Sequence, residues 1–376
     1  MNILQLSKYY KPYCGGVESV VADLSEGLIL RGHTINVLAI GNSSSNKPEI
    51  IKGVHVTRAK ECFNIAQTSI SFEYIKLTTK YFNDCDIVHL HLPNPLANIA
   101  YLVAFILNKR KPKLIIHWHS DIIKQKKLLI LYKPLLNWLL NKADIIIVTS
   151  KVYLDCSKQL SMFKHKCKVV PIGIDSLIDL SSQERTELIK NKYNNSKIIF
   201  SLGRHIYYKG FEYLILAAKN VDNAIFLIGG SGPDTEKYRE LIRKNNLEKK
   251  VFLIGRIEQK DLANYYRAST LFCFPSIEKS EAFGVVQLEA MSIGTPVIST
   301  NIQGSGVPWV NKNNVSGFIC EPKDIESLSE HLNIIINNDH IRKKLSIGAK
   351  DRYVKHFTKN KMINDTESIY LEIFNR

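Results

Sequence analysis

The sequence predicts an α/β protein with two Rossmann-like domains, each built on a doubly wound parallel sheet, and a cleft between them. Short runs of β-branched and apolar residues alternate with helical stretches from end to end, which is typical of βαβ units. The chain has 376 residues and is 45% apolar, which suits two packed domains of about 180 residues each better than one. A polar stretch near the middle separates two series of strands.

The first series lies in the N-terminal half. Its candidate strands are residues 3–6, 35–40, 54–58, 87–91, 114–118, 145–149 and 169–171. The clearest helical pattern between them covers residues 16–31 and stops at Gly32, as expected of a helix C-terminus. Residues 175–196 are polar and carry no strong strand signal, so we place the domain boundary after residue 174.

The second series begins at residue 197. Its candidate strands are residues 197–202, 224–228, 251–254, 270–274, 296–300 and 317–320, and three amphipathic helices close the chain. Ligands of doubly wound sheets bind beyond the carboxyl ends of the strands. We therefore expect the functional residues in the loops that follow strands.

Cysteine usage and the N-terminus indicate a cytoplasmic protein. The seven cysteines are an odd number without any C-x-x-C pair, so we expect them reduced and mostly buried. The chain starts directly with a strand and lacks the features of a signal peptide. The apolar runs at residues 96–107 and 128–140 fall short of the roughly 18 to 20 residues that span a bilayer, so no transmembrane helix is expected.

The net charge of +16 should attract anions, which include nucleotides, nucleic acids and anionic lipid headgroups. Residues 108–142 hold nine Lys or Arg and one acid, Asp121, among apolar and aromatic residues. That mixture suits a helix on a membrane surface, and it equally suits a solvated basic face. No helix-turn-helix, zinc or aromatic-on-sheet pattern accompanies the charge, so nucleic acid is not an expected partner.

The strongest chemical pattern is a pair of glutamates, Glu281 and Glu289, around a predicted helix start. On a continuous helix the two carboxylates would lie roughly 12 Å apart along the axis, which is near the span from hexose to ribose across a diphosphate. The free amides of Phe283, Gly284 and Val285 would bind phosphate oxygens. Glu289 can then accept from ribose hydroxyls and Glu281 from sugar hydroxyls. Two solvated surface glutamates are the alternative.

Two cations follow the first strand of the second series. Arg204 and Lys209 lie in residues 203–210, directly after the strand at residues 197–202. Cations at the carboxyl end of such a strand compensate the charge of a pyrophosphate. Together with the predicted helix start, they form a candidate diphosphate clamp.

These residues resemble glycosyltransferase family 4, whose fold is GT-B and whose mark is a glutamate, seven residues and a second glutamate. The resemblance covers nearly the whole chain. It extends to Gly15 and Gly16 before Glu18, His119 in the run 117–121, Gly203-Arg204 with Lys209-Gly210, the glycine-rich run 229–233, and Pro275 with Ser276.

The resemblance implies a role for each matching residue. Gly15 and Gly16 would let the first loop approach the donor phosphate, and Arg204 and Lys209 would bind the diphosphate. Glu289 would bind the ribose, Glu281 would hold the transferred sugar, and His119 would lie beside the reacting carbon. Such enzymes retain the anomeric configuration, and many need neither metal nor cofactor.

The resemblance also implies a division of labour between the domains. Residues 1–174 would form the acceptor domain, joined by a final helix at about residues 357–376 that crosses back to it. Residues 175–356 would form the sugar-nucleotide domain.

Two segments, residues 118–126 and 303–311, are similar to those of bacterial polysaccharide and O-antigen transferases, many of them mannosyltransferases. They favour GDP-mannose over a UDP-sugar as donor. The implied acceptor is a lipid-linked saccharide. The implied location is the inner face of the cell membrane, with the basic N-terminal domain against the anionic surface.

Two other functions fit parts of the pattern. A sugar-nucleotide epimerase of similar fold would need the same donor clamp. A metal-dependent hydrolase would use His117, His119 and Asp121, whose spacing occurs at zinc sites. Asp84 and Asp86 mimic a manganese motif but precede a strand, the wrong end for a ligand, so we interpret them as loop. The glycine-rich run 229–232 fails the G-x-G-x-x-G register at Thr235, which argues against a dehydrogenase.

Overall fold

The computed structural model describes residues 1–13, 15–41, 48–65, 68–122 and 126–375. The chain divides into two compact units. The first consists of residues 1–173 with 359–376, and the second of residues 174–358. The boundary predicted from the sequence lies after residue 174, and the predicted return to the first domain lies at about residue 357.

The first unit alternates strands and helices. Its elements, in chain order, are β1 (Asn2–Leu6), α1 (Gly16–Ile29), β2 (Thr34–Ile40), β3 (Glu49–Ile51), β4 (Val54–Ala59), β5 (Phe63–Ile65), β6 (Thr68–Ile70), α2 (Phe72–Phe82), β7 (Ile87–Leu92), α3 (Pro95–Leu107), β8 (Lys113–Trp118), α4 (Lys126–Lys142), β9 (Ile145–Val148), α5 (Lys151–Cys156) and β10 (Cys167–Val169).

Eight of these strands form one sheet in the order β10-β9-β8-β7-β1-β2-β4-β3. The pairs are parallel except for β3, which runs antiparallel to β4 at one edge. All four residues of β9 and all six of β7 are buried, as expected of parallel strands covered on both faces. The strand order changes direction at β1, whose neighbours are β2 and β7.

The second unit repeats the plan with a smaller sheet. Its elements are α6 (Gln183–Lys192), β11 (Lys197–Leu202), α7 (Phe211–Ala217), β12 (Ala224–Gly229), α8 (Thr235–Lys244), β13 (Val251–Gly255), α9 (Gln259–Ala268), β14 (Leu271–Phe274), α10 (Val285–Ile293), β15 (Val297–Thr300), α11 (Val307–Val310), β16 (Gly317–Cys320), α12 (Ile325–Asn337) and α13 (Asp339–His356). The six strands are parallel, in the order β13-β12-β11-β14-β15-β16.

The last helix, α14 (Lys359–Phe374), belongs to the first unit. Its Glu367 accepts from Arg31 and pairs with His33, both just beyond the end of α1. Ile363 lies so close to Gly27 of α1 that a Cβ at Gly27 would be 2.2 Å from Ile363 Cδ1. Tyr370, fully buried, reaches the central strands of the sheet. The described helices include none that is both long and apolar enough to cross a membrane.

The predicted α/β class is confirmed, and every predicted strand has a counterpart. The helix predicted to reach residue 31 ends at Ile29, and the strand predicted at residues 169–171 is Cys167–Val169, paired with β9. Pro171 has no amide proton to extend that pairing. Among the residues that the structure describes, three short strands were missed: β3 at the sheet edge, and β5 and β6, which form a two-stranded sheet.

The described cysteines are all free, and Cys14 lies outside the described residues. Cys85, Cys273 and Cys320 are buried, whereas Cys62 and Cys156 are exposed. The expectation of mostly buried cysteines is therefore wrong for those two residues.

Candidate active site

The predicted donor residues of the second unit gather where its strand order changes direction. β11 pairs with β12 on one side and β14 on the other, so the loops after β11 and β14 leave the sheet beside each other. Ligands of open α/β sheets bind at such a point. Arg204 and Lys209 follow β11, and Glu281 follows β14.

Lys209 and Glu281 form a largely buried ion pair. The ammonium of Lys209 donates to Oε2 of Glu281 at 2.5 Å, and each side chain is only 14% exposed. The same ammonium lies 5.0 Å from the ring centroid of Phe274, at the end of β14. The structure thus brings together the predicted diphosphate cation and the predicted sugar-binding carboxylate.

The two loops are in close backbone contact around Gly210. This glycine has a φ of 68°, and a Cβ there would lie 2.0 Å from the carbonyl oxygen of Pro275. The amide of Ile277 donates to the carbonyl of Tyr208 at 2.8 Å. A side chain at position 210 would therefore force the loops apart and separate Lys209 from Glu281.

Arg204 is exposed, and within the part of the chain that the structure describes it makes no ion pair or hydrogen bond. The backbone around it is fixed by the glycine-rich loop after β12. The amide of His205 donates to the carbonyl of Ser231 at 3.0 Å, and a Cβ at Gly230 would lie 1.9 Å from the carbonyl oxygen of Gly203. Arg204 is therefore an exposed cation on a loop whose backbone is fixed, and it is available to bind a ligand.

The helix expected near Phe283 begins at Val285, with Gly284 as its N-cap at a φ of 77°. Among the described residues, no hydrogen bond is donated by the amides of Phe283, Gly284 or Val285. These are the unpaired donors that make a helix N-terminus attract anions. The buried ring of Phe283 packs against Trp309 and Phe357, which holds the turn in place.

The separation of 12 Å expected between Glu281 and Glu289 assumed one continuous helix through both residues, and that assumption is wrong. Glu281 lies outside the helix, because the left-handed conformation of Gly284 interrupts it. The segment before Gly284 is instead tied to the loop after β15: Ser305 Oγ donates to the carbonyl of Glu281, and the amide of Gly306 to that of Ala282. Four residues of the spacing are loop, so a helical rise does not apply to them.

Glu289 lies within α10 and is partly buried. The hydroxyl of the buried Tyr266 donates to its Oε2 at 2.7 Å. Burial raises the pKa of Glu289, and the hydrogen bond from Tyr266 partly opposes that effect. Neither Glu281 nor Glu289 is a solvated surface residue, so the alternative interpretation of this pair is wrong.

In the first unit, Gly15 and Gly16 form the start of α1. Gly15 is the N-cap in an extended conformation, and a Cβ on it would collide with the carboxylate of Glu18. A Cβ on Gly16 would meet no atom within 4 Å. Open space beside the backbone is what close approach of a ligand requires, although packing alone would permit a side chain at Gly16.

Four buried imidazoles lie together at the carboxyl ends of β7 and β8. His89 and His91 come from β7, His117 from β8, and His119 directly follows it. The rings are stacked: His117 and His119 have centroids 4.3 Å apart and planes 5° from parallel. Burial lowers the pKa of His119 to about 3 and, together with charge repulsion among the rings, holds the pKa values of the other three well below the usual range.

This cluster is a poor match to the alternative of a metal-dependent hydrolase that uses His117, His119 and Asp121. Ring nitrogens of His89, His91 and His117 lie within 4.8 Å of one another, and this group includes neither His119 nor Asp121. The carboxylate of Asp121 instead accepts from Trp118 Nε1 at 3.1 Å and from Ser157 Oγ at 2.6 Å. Lone pairs of nearly parallel stacked rings point along separate planes and do not converge on one ion.

Sequence reasoning missed two polar residues around His119, namely Gln5 and Tyr370. Gln5 of β1, His91 of β7 and Tyr370 of α14 form a buried hydrogen-bonded set with it. One signal was available in the sequence: Gln5 is a polar residue between the apolar residues Leu4 and Leu6 of a central strand. Tyr370 is 365 residues away from Gln5, so its part depends on how α14 packs.

Comparisons with known proteins agree in both halves of the chain. Residues 14–176 match the family described as Glycosyltransferase Family 4, and residues 182–352 match Glycosyl transferases group 1. O-antigen chain mannosyltransferase C of Escherichia coli is 29% identical over 371 residues, with 98% of each chain covered. D-rhamnosyltransferase WbpZ of Pseudomonas aeruginosa is 28% identical over 361 residues, which cover 94% of this chain and 92% of the relative.

Solved structures with the same fold include glycosyltransferases. Sucrose-phosphate synthase from Thermosynechococcus elongatus superposes with a TM-score of 0.82 at 19% identity, covering 100% of this chain and 99% of the other. HepE of Anabaena, solved in complex with UDP, has a TM-score of 0.79 at 18% identity, covering 99% and 100%. The two matched sheets are those of the GT-B fold.

Proposed function

Since the chain belongs to glycosyltransferase family 4, we propose that it transfers a hexose from a nucleoside diphosphate sugar to a lipid-linked saccharide in the synthesis of bacterial O-antigen or surface polysaccharide. The observation that carries the proposal is the grouping at the switch point of the second sheet. There the ion pair of Lys209 and Glu281, the exposed cation Arg204 and the unpaired amides of residues 283–285 lie on two adjacent loops and a helix start.

Each group has a part in holding the donor. Arg204 and the amides of residues 283–285 bind the diphosphate, because both offer donors to anionic oxygens. Glu289 accepts from the ribose hydroxyls. Glu281 accepts from hydroxyls of the hexose while Lys209 holds its carboxylate in position and faces the nearest phosphate oxygen.

The transfer proceeds with retention, by attack on the face from which the diphosphate departs. The bond between the anomeric carbon and the phosphate oxygen breaks, and the acceptor oxygen bonds to that carbon on the same side. The acceptor proton passes to the departing phosphate oxygen. We assign neither Glu281 nor Glu289 as a nucleophile, because Lys209 binds the first carboxylate and the second, which accepts from Tyr266, is assigned to the ribose.

Charge compensation by the protein makes a metal ion unnecessary for the proposed reaction. Arg204, Lys209 and the positive end of α10 stabilise the leaving diphosphate electrostatically. The proposed reaction also needs no cofactor.

GDP-mannose is the proposed donor. Two of the relatives matched over nearly their full length are named as a mannosyltransferase and a rhamnosyltransferase. The UDP-bound structures of HepE support the binding of a nucleotide by a protein of this fold. At 18% identity they do not indicate which base this chain binds.

We further propose that the first unit rests on the inner membrane surface, where the acceptor is anchored. α3 and α4 are joined by a hydrogen bond from Asn98 to Tyr132 at 2.9 Å. Ile106 and Leu107 of α3 are each 68% exposed, and Ile130 and Leu131 of α4 are 72% and 80% exposed. Apolar side chains beside lysines and arginines suit the headgroup region. Lys124 of this basic segment lies outside the described residues.

A transfer assay tests the proposal. The purified protein is incubated with lipid-linked saccharide from a strain lacking it and with GDP-mannose, UDP-glucose or UDP-N-acetylglucosamine, in the presence of EDTA. We expect a mannosylated lipid with the α configuration of the donor. Release of a free epimerised nucleotide sugar without acceptor would favour the epimerase instead, and a β-linked product would overturn the retaining mechanism.

A further inference from the structure

The buried polar set around His119 forms a continuous chain of hydrogen bonds. His119 Nε2 lies 3.0 Å from His91 Nδ1, and His91 Nε2 lies 2.8 Å from Gln5 Oε1. Gln5 Nε2 donates to Tyr370 Oη, which in turn lies 2.5 Å from His89 Nδ1. The chain of bonds therefore runs from the carboxyl end of β8 through the middle of the sheet to α14.

The oxygen of Gln5 fixes the direction of every bond between it and His119. With the amide of Gln5 oriented as in the structure, its oxygen faces His91 and can only accept, so His91 Nε2 must carry a proton. A neutral imidazole has one N–H, so His91 Nδ1 is then a bare acceptor. His119 must donate to it from Nε2, which leaves Nδ1 of His119 with a lone pair.

Burial holds both rings neutral, so each carries a single N–H. His91 is fully buried between the other rings, and burial, with repulsion from His89 and His119, keeps its pKa well below the usual range. Burial lowers the pKa of His119 to about 3. Neither ring is therefore doubly protonated near neutral pH.

Nδ1 of His119 differs from the other ring nitrogens of the cluster in its access to solvent. Nε2 of His89 and both nitrogens of His117 are buried without a partner, and the two nitrogens of His91 are bonded. Nδ1 of His119 also makes no hydrogen bond within the described residues, but it does not belong to the fully buried unpaired atoms. Since His119 is also the most exposed of the four residues, at 7% against 2% or less for the others, we take its Nδ1 as the ring nitrogen that a ligand can approach.

We propose that Gln5 and His91 are positioning residues that hold His119 as the Nε2–H tautomer, so that Nδ1 presents a hydrogen-bond acceptor to a hydroxyl of the substrate. The tautomer follows from the hydrogen-bond chain with the amide of Gln5 in this orientation, whereas the assignment of a sugar hydroxyl as its partner rests on the proposed function. An accepting nitrogen favours a neutral hexose, whose hydroxyl donates, and disfavours a uronic acid, whose carboxylate also accepts.

The tautomer is measurable directly by NMR. The full-length protein is prepared with ring-¹⁵N histidine, and long-range ¹H–¹⁵N correlations distinguish the two neutral tautomers of each ring. The signal of His119 is the one lost in His119→Ala. We expect the wild-type ring of His119 to be protonated at Nε2, and protonation at Nδ1 would overturn the proposal.

Variants test whether Gln5 sets this state. Gln5→Met removes the accepting oxygen, and His119 should then populate both tautomers. His91→Leu breaks the same chain at its middle and should have the same effect, which keeps the test available if Gln5→Met does not fold. His117→Phe removes the ring stacked on His119 but no bond of the chain, so the tautomer should persist. An unchanged His119 spectrum in Gln5→Met and His91→Leu would refute the role of Gln5.

A kinetic measurement separates this proposal from the proposed function. With GDP-mannose as the probe, Gln5→Met should lower kcat by up to about tenfold, the worth of one hydrogen bond, while the Kd for GDP stays unchanged. No turnover of GDP-mannose by the wild type would reject that donor and leave the NMR result intact. A changed Kd for GDP with an unchanged kcat would contradict positioning through His119.

Discussion

Glu289 is a residue whose folded environment opposes the charge that its proposed role requires. Its carboxylate is partly buried beneath Tyr266, and burial raises its pKa. We expect Glu289→Gln to weaken nucleoside diphosphate binding by about 1 to 3 kcal/mol, because charged hydrogen bonds to the ribose are lost. Isothermal titration calorimetry with GDP measures this loss, and unchanged affinity would reject the ribose assignment.

The same substitution should stabilise the ligand-free protein at neutral pH. A carboxyl whose pKa is raised on folding stabilises the folded state most when it is neutral. This stabilisation is lost as the pH rises through the folded pKa. The glutamine in Glu289→Gln stays neutral at every pH, so this loss of stability does not occur. Its amide oxygen can still accept from Tyr266. The gain in thermal stability should therefore be present at pH 7 and vanish near pH 4. A gain independent of pH would show that desolvation of the Glu289 carboxylate is not its cause.

The stacked histidines make the first unit sensitive to acid. Their pKa values lie below the ordinary value in the folded state, so stability is complete above about pH 6.5 and falls as the unfolded chain becomes protonated. For each histidine that stays neutral in the folded state, the free energy of unfolding falls by about 1.4 kcal/mol per pH unit below that point.

Replacing one ring tests this dependence. In urea unfolding between pH 5 and 7.5, His117→Phe should reduce the slope of stability against pH. The matched surface variant His340→Asn, at an exposed position in the second unit, should leave the slope unchanged. Equal slopes in all three proteins would show that the cluster does not control acid stability.

At the level of residues, the donor loops were predictable from the sequence but the contacts within them were not. Arg204, Lys209, Glu281 and Glu289 were found because they follow strands or flank a helix start. That Lys209 binds Glu281 was not foreseeable, because it depends on the contact of two loops around Gly210. The link from Gln5 to Tyr370 required the packing of a helix from the other end of the chain.

At the level of elements, the turn at Gly210 should determine whether the donor loops fit together. Gly210→Ala combines a left-handed backbone with a Cβ 2.0 Å from the carbonyl oxygen of Pro275. Gly255→Ala is the matched control, since its φ of 71° is nearly the same and a Cβ there would meet nothing within 4 Å.

The control should lose about 1 to 2 kcal/mol of unfolding free energy through the backbone conformation alone. Gly210→Ala should lose clearly more and also bind GDP more weakly, as measured by chemical unfolding and calorimetry. Equal losses in both variants would indicate that the contact with Pro275 relaxes without cost.

The buried strands were predictable because continuous apolar runs are typical of parallel strands covered on both faces. The three missed strands, β3, β5 and β6, have three residues each and form small antiparallel pairs, which leave no comparable pattern. The start of α10 was placed too early because the sequence pattern does not reveal that Gly284 adopts a positive φ.

At the level of the whole molecule, the net charge of +16 and the exposed apolar residues of α4 should act together at a membrane. The double variant Ile130→Glu/Leu131→Glu should lose binding to phosphatidylglycerol vesicles in a sedimentation assay, because it places acids where the apolar contact is proposed. Leu188→Glu, at a position 61% exposed in the second unit, should bind like the wild type.

Salt distinguishes the two contributions to that binding. The charge contribution should weaken as the ionic strength rises, and neutral phosphatidylcholine vesicles should bind poorly. Equal binding of both variants would place the membrane surface elsewhere.

The most direct test of a donor site in the second unit is calorimetric titration of the metal-free protein with GDP and UDP, repeated with Arg204→Gln and with Arg243→Gln. Arg243 is an exposed arginine in the last turn of α8, and the helices that follow parallel strands end at the edge of the sheet opposite the ligand-binding edge. We predict that GDP binds in preference to UDP, that Arg204→Gln weakens its binding by about 1.5 to 3 kcal/mol, and that Arg243→Gln does not. Failure of the wild type to bind any nucleoside diphosphate, or equal binding by all three proteins, would contradict a donor site at the switch point of the second sheet.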